Sequence, residues 1–484
     1  MTSNSAVSEK NPVDQVPPWS RLIPLGLQHV LAMYAGAVAV PLVVGGALIK
    51  AGKLESGDLA YLISADLLVA GIATLIQSIG FWRFGVRLPL MQGCTFAAVS
   101  PMIAIGSEYG VTAIYGSVIA CGLFMMLLAP VFSKLLRFFP PLVTGTVILI
   151  IGLSLMSVAA GWAGGGAASP TFGAPKALIF ALLTLVIILV IERFAPPAIQ
   201  RLSILSGLVI GTLISIPFGM ADFSGAAEES WFGVSTPFHF GFPTFEVSAI
   251  IAMCIVGLVI MTETTGDIIA VGEIVEKPVG PKQLADGLRA DGLSTIIGGI
   301  FNTFPYTAFA QNVGLVSLTG VRSRYVATFA GVVLIVLGLI PKLGGIVEGI
   351  PQAVLGGAGV ALFGMVAASG IRTLTRVKFN NTNILVVAIS VGVGLLPTVS
   401  PTLFNQLPTG VGIVFHSGIS AGAITAILLN LLLNSKTVQA RHANEVDAHA
   451  PHDAVRAAGA DVTMPVPDSG VDVSESSLSD SKKL

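Results

Sequence analysis

Apolar segments long enough to cross a membrane follow one another along almost the whole chain, and no other feature constrains the fold as strongly. A helix needs about 20 predominantly apolar residues to span the hydrocarbon core of a bilayer. Charged residues make up only 11% of the 484 residues, whereas a soluble domain carries about 25%. The sequence therefore excludes a water-soluble fold and predicts an all-α polytopic membrane protein.

Fourteen transmembrane segments are predicted from the positions of the apolar stretches. They lie near residues 22–47, 58–81, 88–107, 111–132, 140–161, 174–193, 202–219, 246–272, 284–303, 306–319, 324–341, 351–370, 382–399 and 415–434. The predicted organisation is a cytoplasmic tail (1–17), a first set of seven spans (18–220), an external loop (221–245), a second set of seven spans (246–434) and a disordered cytoplasmic tail (435–484).

The distribution of Lys and Arg predicts the orientation of the chain. When the N-terminus is placed in the cytoplasm, most of the 25 Lys and Arg residues fall on cytoplasmic sides, as the positive-inside rule requires. An even number of spans then places both termini in the cytoplasm. We expect a multi-pass protein of the plasma or inner membrane. The net charge of −1 gives no reason to propose a nucleic acid as a partner.

The two sets of seven spans resemble each other. Pro130 and Pro140 in the first set recur with the same separation as Pro341 and Pro351 in the second, and the spacing Pro-x-x-Val-x-Gly follows Pro140 and Pro351. Because seven is an odd number, the second set must run upside down relative to the first. This pattern indicates an inverted repeat, which is typical of secondary transporters. The alternative is chance recurrence among 28 prolines and 55 glycines.

The third and tenth spans are short or interrupted and carry polar residues at the depth of the membrane centre. Gln92 and Thr95 lie in the third span, and Asn302, Gln311 and Asn312 lie in or just before the tenth. Backbone that is not helical survives at this depth only where protein or a water-filled cavity covers it. Broken spans in matching places predict a transport site, with the N–H groups of half-helices facing the ligand.

A longer motif in the tenth span carries a family resemblance. The run from Gln311 to Gly320 resembles the Q-N-x-G-x-x-x-x-T motif of the nucleobase-ascorbate transporters, also called the nucleobase:cation symporter-2 family. Gln28 and His29 resemble the Gln-His pair of that family, and Glu263, Asp267 and Asp291 lie where its carboxylates in spans eight and nine would be. Several stretches look most similar to the bacterial xanthine and uric acid permeases.

The resemblance implies a fold and a function. The fold would consist of two intertwined repeats, with spans 1–4 and 8–11 forming a core and spans 5–7 and 12–14 forming a gate. The function would be proton-coupled symport of oxidised purines, xanthine or uric acid or both, by an elevator motion of the core against the gate. The implied partners are the purine, protons, the lipid bilayer and a second copy of the chain in a homodimer. No cofactor is implied beyond the proton gradient.

The resemblance also implies that Glu263 is the principal substrate ligand, since a carboxylate can accept two adjacent N–H groups of a purine dione. Gln311 presents a donor and an acceptor in one plane and can pair with an amide-like edge of the base. Phe96 can stack on the base, and Phe96 and Ala310 can each offer a backbone N–H. Thr95 can form a hydrogen bond with the C8 oxygen of urate. For each of these residues, packing or helix hydrogen bonding is the alternative role.

Further candidates support the site. Asn312 is a candidate for substrate binding, with the geometry of the interrupted span as its alternative role. His29 and Asp291 are candidates for proton coupling, because ionisable residues inside a membrane mark proton pathways. Asp267, one helical turn from the principal acid, is a candidate supporting residue. Two motif positions are expected to shape the backbone, Gly314 and Thr319.

Other functions compete with this one. A uracil or other nucleobase permease of the same family is one alternative, and a carrier of the same fold for sulfate-type or bicarbonate-type anions is another. The concentration of acidic residues argues against the anion carrier, whose site would use cations and helix dipoles. An enzyme is not expected, because we find no metal-binding set, no nucleophile beside a base and no nucleotide-binding loop. The choice between xanthine and uric acid stays open.

Overall fold

A computed structural model describes residues 11–167 and 169–434 of the protein. The predicted disordered tail, 435–484, lies outside the described residues. In the first half of the chain the elements are α1 (Trp19–Lys50), α2 (Asp58–Ile79), β1 (Gln92–Cys94), α3 (Val99–Tyr109), α4 (Val111–Leu135), α5 (Pro141–Ala163), α6 (Pro175–Phe194), α7 (Pro197–Gln200), α8 (Ser203–Ser215) and α9 (Ser224–Glu228). In the second half they are α10 (Val247–Ile274), α11 (Pro281–Ile300), β2 (Tyr306–Ala308), α12 (Ala310–Thr319), α13 (Arg324–Gly338), α14 (Pro341–Glu348), α15 (Gln352–Leu374), α16 (Asn381–Val399), α17 (Thr409–His416) and α18 (Gly418–Leu433).

The helices confirm a polytopic membrane protein. Within the described residues, eight helices are long and apolar enough to cross a bilayer, and α13 with α14, bent by 79°, makes a ninth if the pair is one span. Helical segments lie in every predicted span, but α3, α8, α12 and α18 are too short to pass the same test. The count of fourteen therefore stays a prediction. The third and tenth spans are interrupted, since each consists of a three-residue strand followed by a short helix.

Hydrogen bonds to the two strands repeat between the halves of the chain. The Thr74 hydroxyl on α2 accepts a hydrogen bond from the backbone N–H of Gln92, the first residue of β1, at 3.0 Å. The Thr295 hydroxyl on α11 accepts one from the N–H of Tyr306, the first residue of β2, at 3.2 Å. Helices α2 and α11 are the second spans of their respective repeats. The inverted repeat is therefore visible in hydrogen bonding as well as in sequence.

Close helix crossings repeat in the same way. Helix α2 packs on α13, and a Cβ atom at Gly71 would lie 2.5 Å from the carbonyl oxygen of Gly331. Helix α4 packs on α11, and a Cβ atom at Gly292 would lie 2.7 Å from the carbonyl oxygen of Gly122. Small residues let membrane helices approach until their backbones touch. Each crossing joins a helix of one repeat to a helix of the other, so the two repeats are intertwined.

The structure repeats only part of the proline pattern that suggested the inverted repeat. Pro140 and Pro351 are the N-cap residues of α5 and α15, and these two helices pack closely against each other. Pro130 lies inside α4, whereas Pro341 is the first residue of α14. Proline is tolerated in the first turn of a helix because its missing N–H has no partner there. The first proline of each pair therefore occupies different structural positions in the two halves.

Helix packing separates the elements into two groups. The first combines α1 to α4 with α10 to α13, through the pairs α2 with α13, α4 with α11 and α4 with α10. The second combines α5, α6 and α8 with α15, α16 and α18, through the pairs α5 with α15, α6 with α15 and α16 with α18. These groups agree with the core and gate that the family resemblance implies.

Candidate functional site

The strands β1 and β2 form an antiparallel pair in which Gln92 faces Ala308, Gly93 faces Thr307 and Cys94 faces Tyr306. Beyond the pair, the N–H of Thr95 donates to the carbonyl oxygen of Pro305 at 2.9 Å, and the N–H of Phe309 donates to that of Met91 at 3.0 Å. These bonds satisfy the polar groups of an extended backbone inside the protein. They also fix the starts of the two short helices relative to each other.

A cavity of about 260 Å³ lies where these helices begin. It is lined from the first repeat by residues that include Thr95, Phe96 and Ala97, and from the second by residues that include Ala310, Gln311 and Glu263. The structure thus brings together all the predicted substrate ligands except Asn312. The gate helices close the other side, with Ile148 and Ile151 from α5 and Met365, Ser369 and Arg372 from α15.

Glu263 and Gln311 offer their polar atoms to this cavity. Glu263 lies on α10 and is half-buried. Among the described residues, no side chain forms a hydrogen bond or salt bridge with its carboxylate, and none forms a hydrogen bond with the Gln311 amide. Leaving a carboxylate without a partner in a protein interior is costly. Both groups are therefore available to a ligand that supplies N–H and C=O groups.

Thr95 and Phe96 are held by the local structure around them. The Thr95 hydroxyl oxygen accepts a hydrogen bond from the N–H of Ala97 at 3.1 Å, so Thr95 caps the short 3₁₀ turn Phe96–Ala98. The hydroxyl hydrogen is still free to donate to a ligand. The Phe96 ring packs edge-on against Phe363 of α15, with ring centroids 5.9 Å apart. On the opposite side, Ala310 begins α12, where the first N–H groups of a helix lack partners within that helix.

Asn312 points away from the cavity and joins α12 to α1. Its Nδ2 atom lies 3.0 Å from Nδ1 of His29 and 2.9 Å from the backbone oxygen of His29. Both residues are buried. If the amide donates to Nδ1, the imidazole carries its proton on Nε2. The geometry favours the structural role for Asn312 and leaves His29 outside the lining of the cavity.

Asp267 and Asp291 lie behind the cavity lining. Oδ1 of Asp291 accepts a hydrogen bond from the Gln77 amide at 2.9 Å. Gln77 also donates to the backbone oxygen of Gly287 at 2.9 Å and accepts from the N–H of Val86 at 2.9 Å. One carboxylate oxygen of each aspartate is buried without a hydrogen-bond partner among the described residues. Gln77 thus ties Asp291 to α2 and to the loop that follows it.

The two motif positions lie further along α12. Gly314 has open space where a side chain would project, and it lines a neighbouring cavity of about 380 Å³ between α1, α8 and α12. The Thr319 hydroxyl donates to the backbone oxygen of Leu315 at 2.8 Å, within its own helix.

Two polar residues near the site are absent from the predicted set of site residues. Arg372 lines the cavity from the last turn of α15, but a basic residue at the end of a span is ordinarily attributed to membrane topology. The spacing of Ser369 and Arg372, which places both on one helix face, was the signal that could have found it. Asp66 is buried on α2 and accepts a hydrogen bond from the Tyr306 hydroxyl at 2.8 Å. Asp66 thereby anchors the start of β2.

Comparisons with known proteins show which family the chain belongs to. A family model described as a permease family matches residues 20–403. The chain is 48% identical over 437 residues to the nucleobase transporter PlUacP of Paenibacillus larvae, covering 89% of this chain and 99% of that protein. It is 47% identical to the xanthine permease of Bacillus subtilis, covering 86% and 94%, and 46% identical to the uric acid transporter UacT of Escherichia coli, covering 87% and 88%.

Solved structures support the fold alone. The transmembrane domain of the cyanobacterial bicarbonate transporter BicA matches with a TM-score of 0.56 at 16% identity, covering 86% of this chain and 99% of that domain. SLC26A9 matches with a TM-score of 0.55 at 14% identity, covering 84% of this chain and 65% of that one. The matched family model and the similar permeases identify the chain as a multi-pass membrane protein of the nucleobase-ascorbate transporter family, as the motif in its tenth span predicts.

Proposed function

We propose that the protein imports xanthine, uric acid or both by proton symport. The observation that carries this proposal is the cavity between the two half-helices, where Glu263 and Gln311 present polar groups that the described residues leave without partners. The names of the similar permeases support the same class of substrate. A uracil permease of the same family is the nearest alternative.

The chemistry of the lining suits an oxidised purine. The Glu263 carboxylate accepts adjacent N–H groups, and the planar amide of Gln311 pairs with a neighbouring C=O and N–H edge. Phe96 covers one face of the ring, since aromatic side chains stack on planar heterocycles. The guanidinium of Arg372 adds donors for a carbonyl oxygen or for an anionic form of the base. A hydrated inorganic anion would make no use of the Glu263 carboxylate or of the Phe96 ring.

Proton coupling belongs to the same proposal. Glu263, Asp267 and Asp291 carry three carboxyl groups in adjoining helices, and none of them forms a salt bridge within the described part of the chain. Ionisable residues inside a membrane mark proton pathways. No organic cofactor is needed when the proton gradient drives transport. His29, held by Asn312, is the further candidate on this proton path.

The motion proposed is an elevator movement of the core helices against the gate helices. The core contributes both strands, both half-helices, Glu263 and Gln311, so these parts of the site can move as one body. The gate contributes mainly apolar residues from α5 and α15. We propose further that the protein acts as a homodimer in the plasma or inner membrane, with both termini in the cytoplasm.

Uptake of labelled xanthine, urate and uracil into cells that lack their own permeases tests this function. We expect saturable uptake of xanthine or urate that a protonophore abolishes. Uracil uptake without purine uptake would overturn the substrate class. Uptake that requires sodium and is insensitive to the protonophore would overturn the proton coupling and leave the substrate class intact.

A further inference from the structure

A second cavity, of about 530 Å³, lies between the loop that follows α2 and the first two turns of α11. Its lining includes Trp82, Arg83 and Arg87 from the loop and Lys282 and Asp286 from α11. None of the residues lining it belongs to the purine cavity. The positive-inside pattern of the sequence assigns this end of α2 to the cytoplasmic side.

The cavity has an excess of positive charge. Arg83, Arg87 and Lys282 are exposed, and none of them forms a salt bridge within the described ranges. Among the described residues that line the cavity, Asp286 alone carries a carboxylate, and Arg289 already binds it at 2.5 Å. Three cations therefore face the same space with their charges uncompensated. An anion with several acceptor oxygens is the ligand that such a set binds best.

Backbone hydrogen bonds order the loop that carries Arg83 and Arg87 and hold it against α11. Phe81 and Phe84 exchange two backbone hydrogen bonds, at 2.9 and 2.8 Å. The N–H of Gly85 donates to the backbone oxygen of Asp286 at 2.9 Å, which fastens the loop to α11. Trp82 and Arg87 have φ angles of 44° and 59°. Residues other than glycine adopt this left-handed conformation at a cost, and such strain concentrates at sites where the geometry is needed.

Large aromatic rings flank the cations. Trp82 is 81% exposed and Phe81 is 50% exposed, although both are apolar and lie beside charged residues. Phe81 is also stacked on Phe84, with ring centroids 5.3 Å apart, so its position is fixed. Tryptophan next to basic residues is typical of the interface between membrane and water, where the ring lies at the level of the lipid headgroups. The aromatic residues therefore place the basic cavity at headgroup depth.

We propose that this cavity binds the headgroup phosphate of an anionic phospholipid, with Arg83, Arg87 and Lys282 around the phosphate and Trp82 beside the glycerol and upper acyl chains. Basic pockets at the cytoplasmic ends of membrane helices bind such headgroups. The side-chain amide of Gln77 accepts from the N–H of Val86 in this loop and donates to Asp291 at 2.9 Å. A bound lipid is thus connected to a carboxylate behind the purine site through one side chain.

Binding of lipid to the purified full-length protein in neutral detergent tests the proposal without any purine. The probes are phosphatidylglycerol, phosphatidylcholine and inorganic phosphate, and the readouts are lipid retained in native mass spectrometry and the shift in Tm. Each basic residue near an anionic surface strengthens binding by about 1 kcal/mol, or about fivefold. The triple variant Arg83→Gln, Arg87→Gln, Lys282→Gln should therefore bind phosphatidylglycerol at least about tenfold more weakly.

A matched variant controls for the loss of charge. Lys134, Arg376 and Lys378 are also exposed, lie at cytoplasmic ends of predicted spans and are absent from the lining of this cavity. Their combined replacement by Gln should leave phosphatidylglycerol binding as in the unaltered protein. If both triple variants lost phosphatidylglycerol binding equally, the effect would come from net positive charge alone, and the proposed site would be wrong. Equal stabilisation by inorganic phosphate would overturn the lipid as the ligand, and so would equal binding of phosphatidylcholine.

A local probe covers the case in which the triple variant fails to fold. Phosphatidylglycerol with brominated acyl chains quenches nearby tryptophan, and the chain has four tryptophans. The expected result is a component of quenching that saturates at low lipid and is lost in Trp82→Phe. Quenching that is unchanged in Trp82→Phe would overturn the placement of the lipid.

Discussion

Glu263 is the residue on which the proposed purine site depends most. Glu263→Gln replaces the charged carboxylate with a neutral amide, whose NH₂ group presents a donor to the N–H groups of the substrate. A hydrogen bond to a charged group contributes about 1.5–3 kcal/mol, so purine affinity should fall at least about tenfold and transport should cease. Equilibrium binding of labelled xanthine to the purified variant is the measurement. Near-normal affinity would exclude Glu263 as the ligand.

Thr95 is the candidate for the choice between urate and xanthine. Its oxygen accepts from the N–H of Ala97, which leaves the hydroxyl hydrogen to meet the extra C8 oxygen of urate. A neutral hydrogen bond contributes about 0.5–1.5 kcal/mol. Thr95→Ala should therefore shift the urate-to-xanthine preference about twofold to tenfold toward xanthine, as measured by competition.

The conservative variant separates selectivity from helix capping. Thr95→Ser keeps both the hydroxyl and the cap of the 3₁₀ turn and should keep the preference of the unaltered protein. Loss of uptake for both substrates in equal proportion in Thr95→Ala would assign Thr95 to capping alone.

At the scale of elements, the repeated glycine crossings make a prediction about stability. A Cβ atom at Gly292 would meet the backbone of α4, and one at Gly71 would meet the backbone of α13. Overpacking of this kind costs about 1–3 kcal/mol, so Gly71→Ala and Gly292→Ala should each lower the Tm in detergent. A Cβ atom at Gly392 on α16 would have no neighbouring atom within 4 Å, so Gly392→Ala should leave the Tm unchanged or slightly raised. Equal Tm changes in the three variants would refute this packing.

Sequence patterns predicted the helices and their interruptions better than they predicted the contacts between these elements. Hydropathy located the helices, and the polar residues of two short spans located the interruptions at β1 and β2, because both signals are local. The hydrogen bond from Tyr306 to Asp66 joins residues far apart in the chain, so neither residue alone indicated it. Arg372 was missed because its position at the end of a span suggests topology, and only the packing of α15 on α5 brings it to the cavity.

At the scale of the whole molecule, the two repeats should function only together. Thr95 and Phe96 come from the first repeat, whereas Glu263 and Gln311 come from the second. A chain divided within the loop 221–245 should therefore show no purine uptake when either half is expressed alone and should recover uptake when both are expressed together. Co-expression of the first half with a second half that carries Glu263→Gln controls for purine entry that does not depend on the site. This pair should show no purine uptake. Uptake by a single half would contradict the shared site.

The pairing of β1 with β2 also has a consequence for how the protein is made. Strand β1 leaves the ribosome with the first repeat, but its hydrogen-bonding partner β2 belongs to the second repeat. Unpaired backbone groups are costly in hydrocarbon. The insertion machinery must therefore keep the early strand hydrated, or shield it, until the later half of the chain arrives. During synthesis there is thus a stage at which β1 is in place but its backbone N–H and C=O groups have no strand partner. A pause between the two repeats would prolong the exposure of this incomplete chain to quality-control proteases.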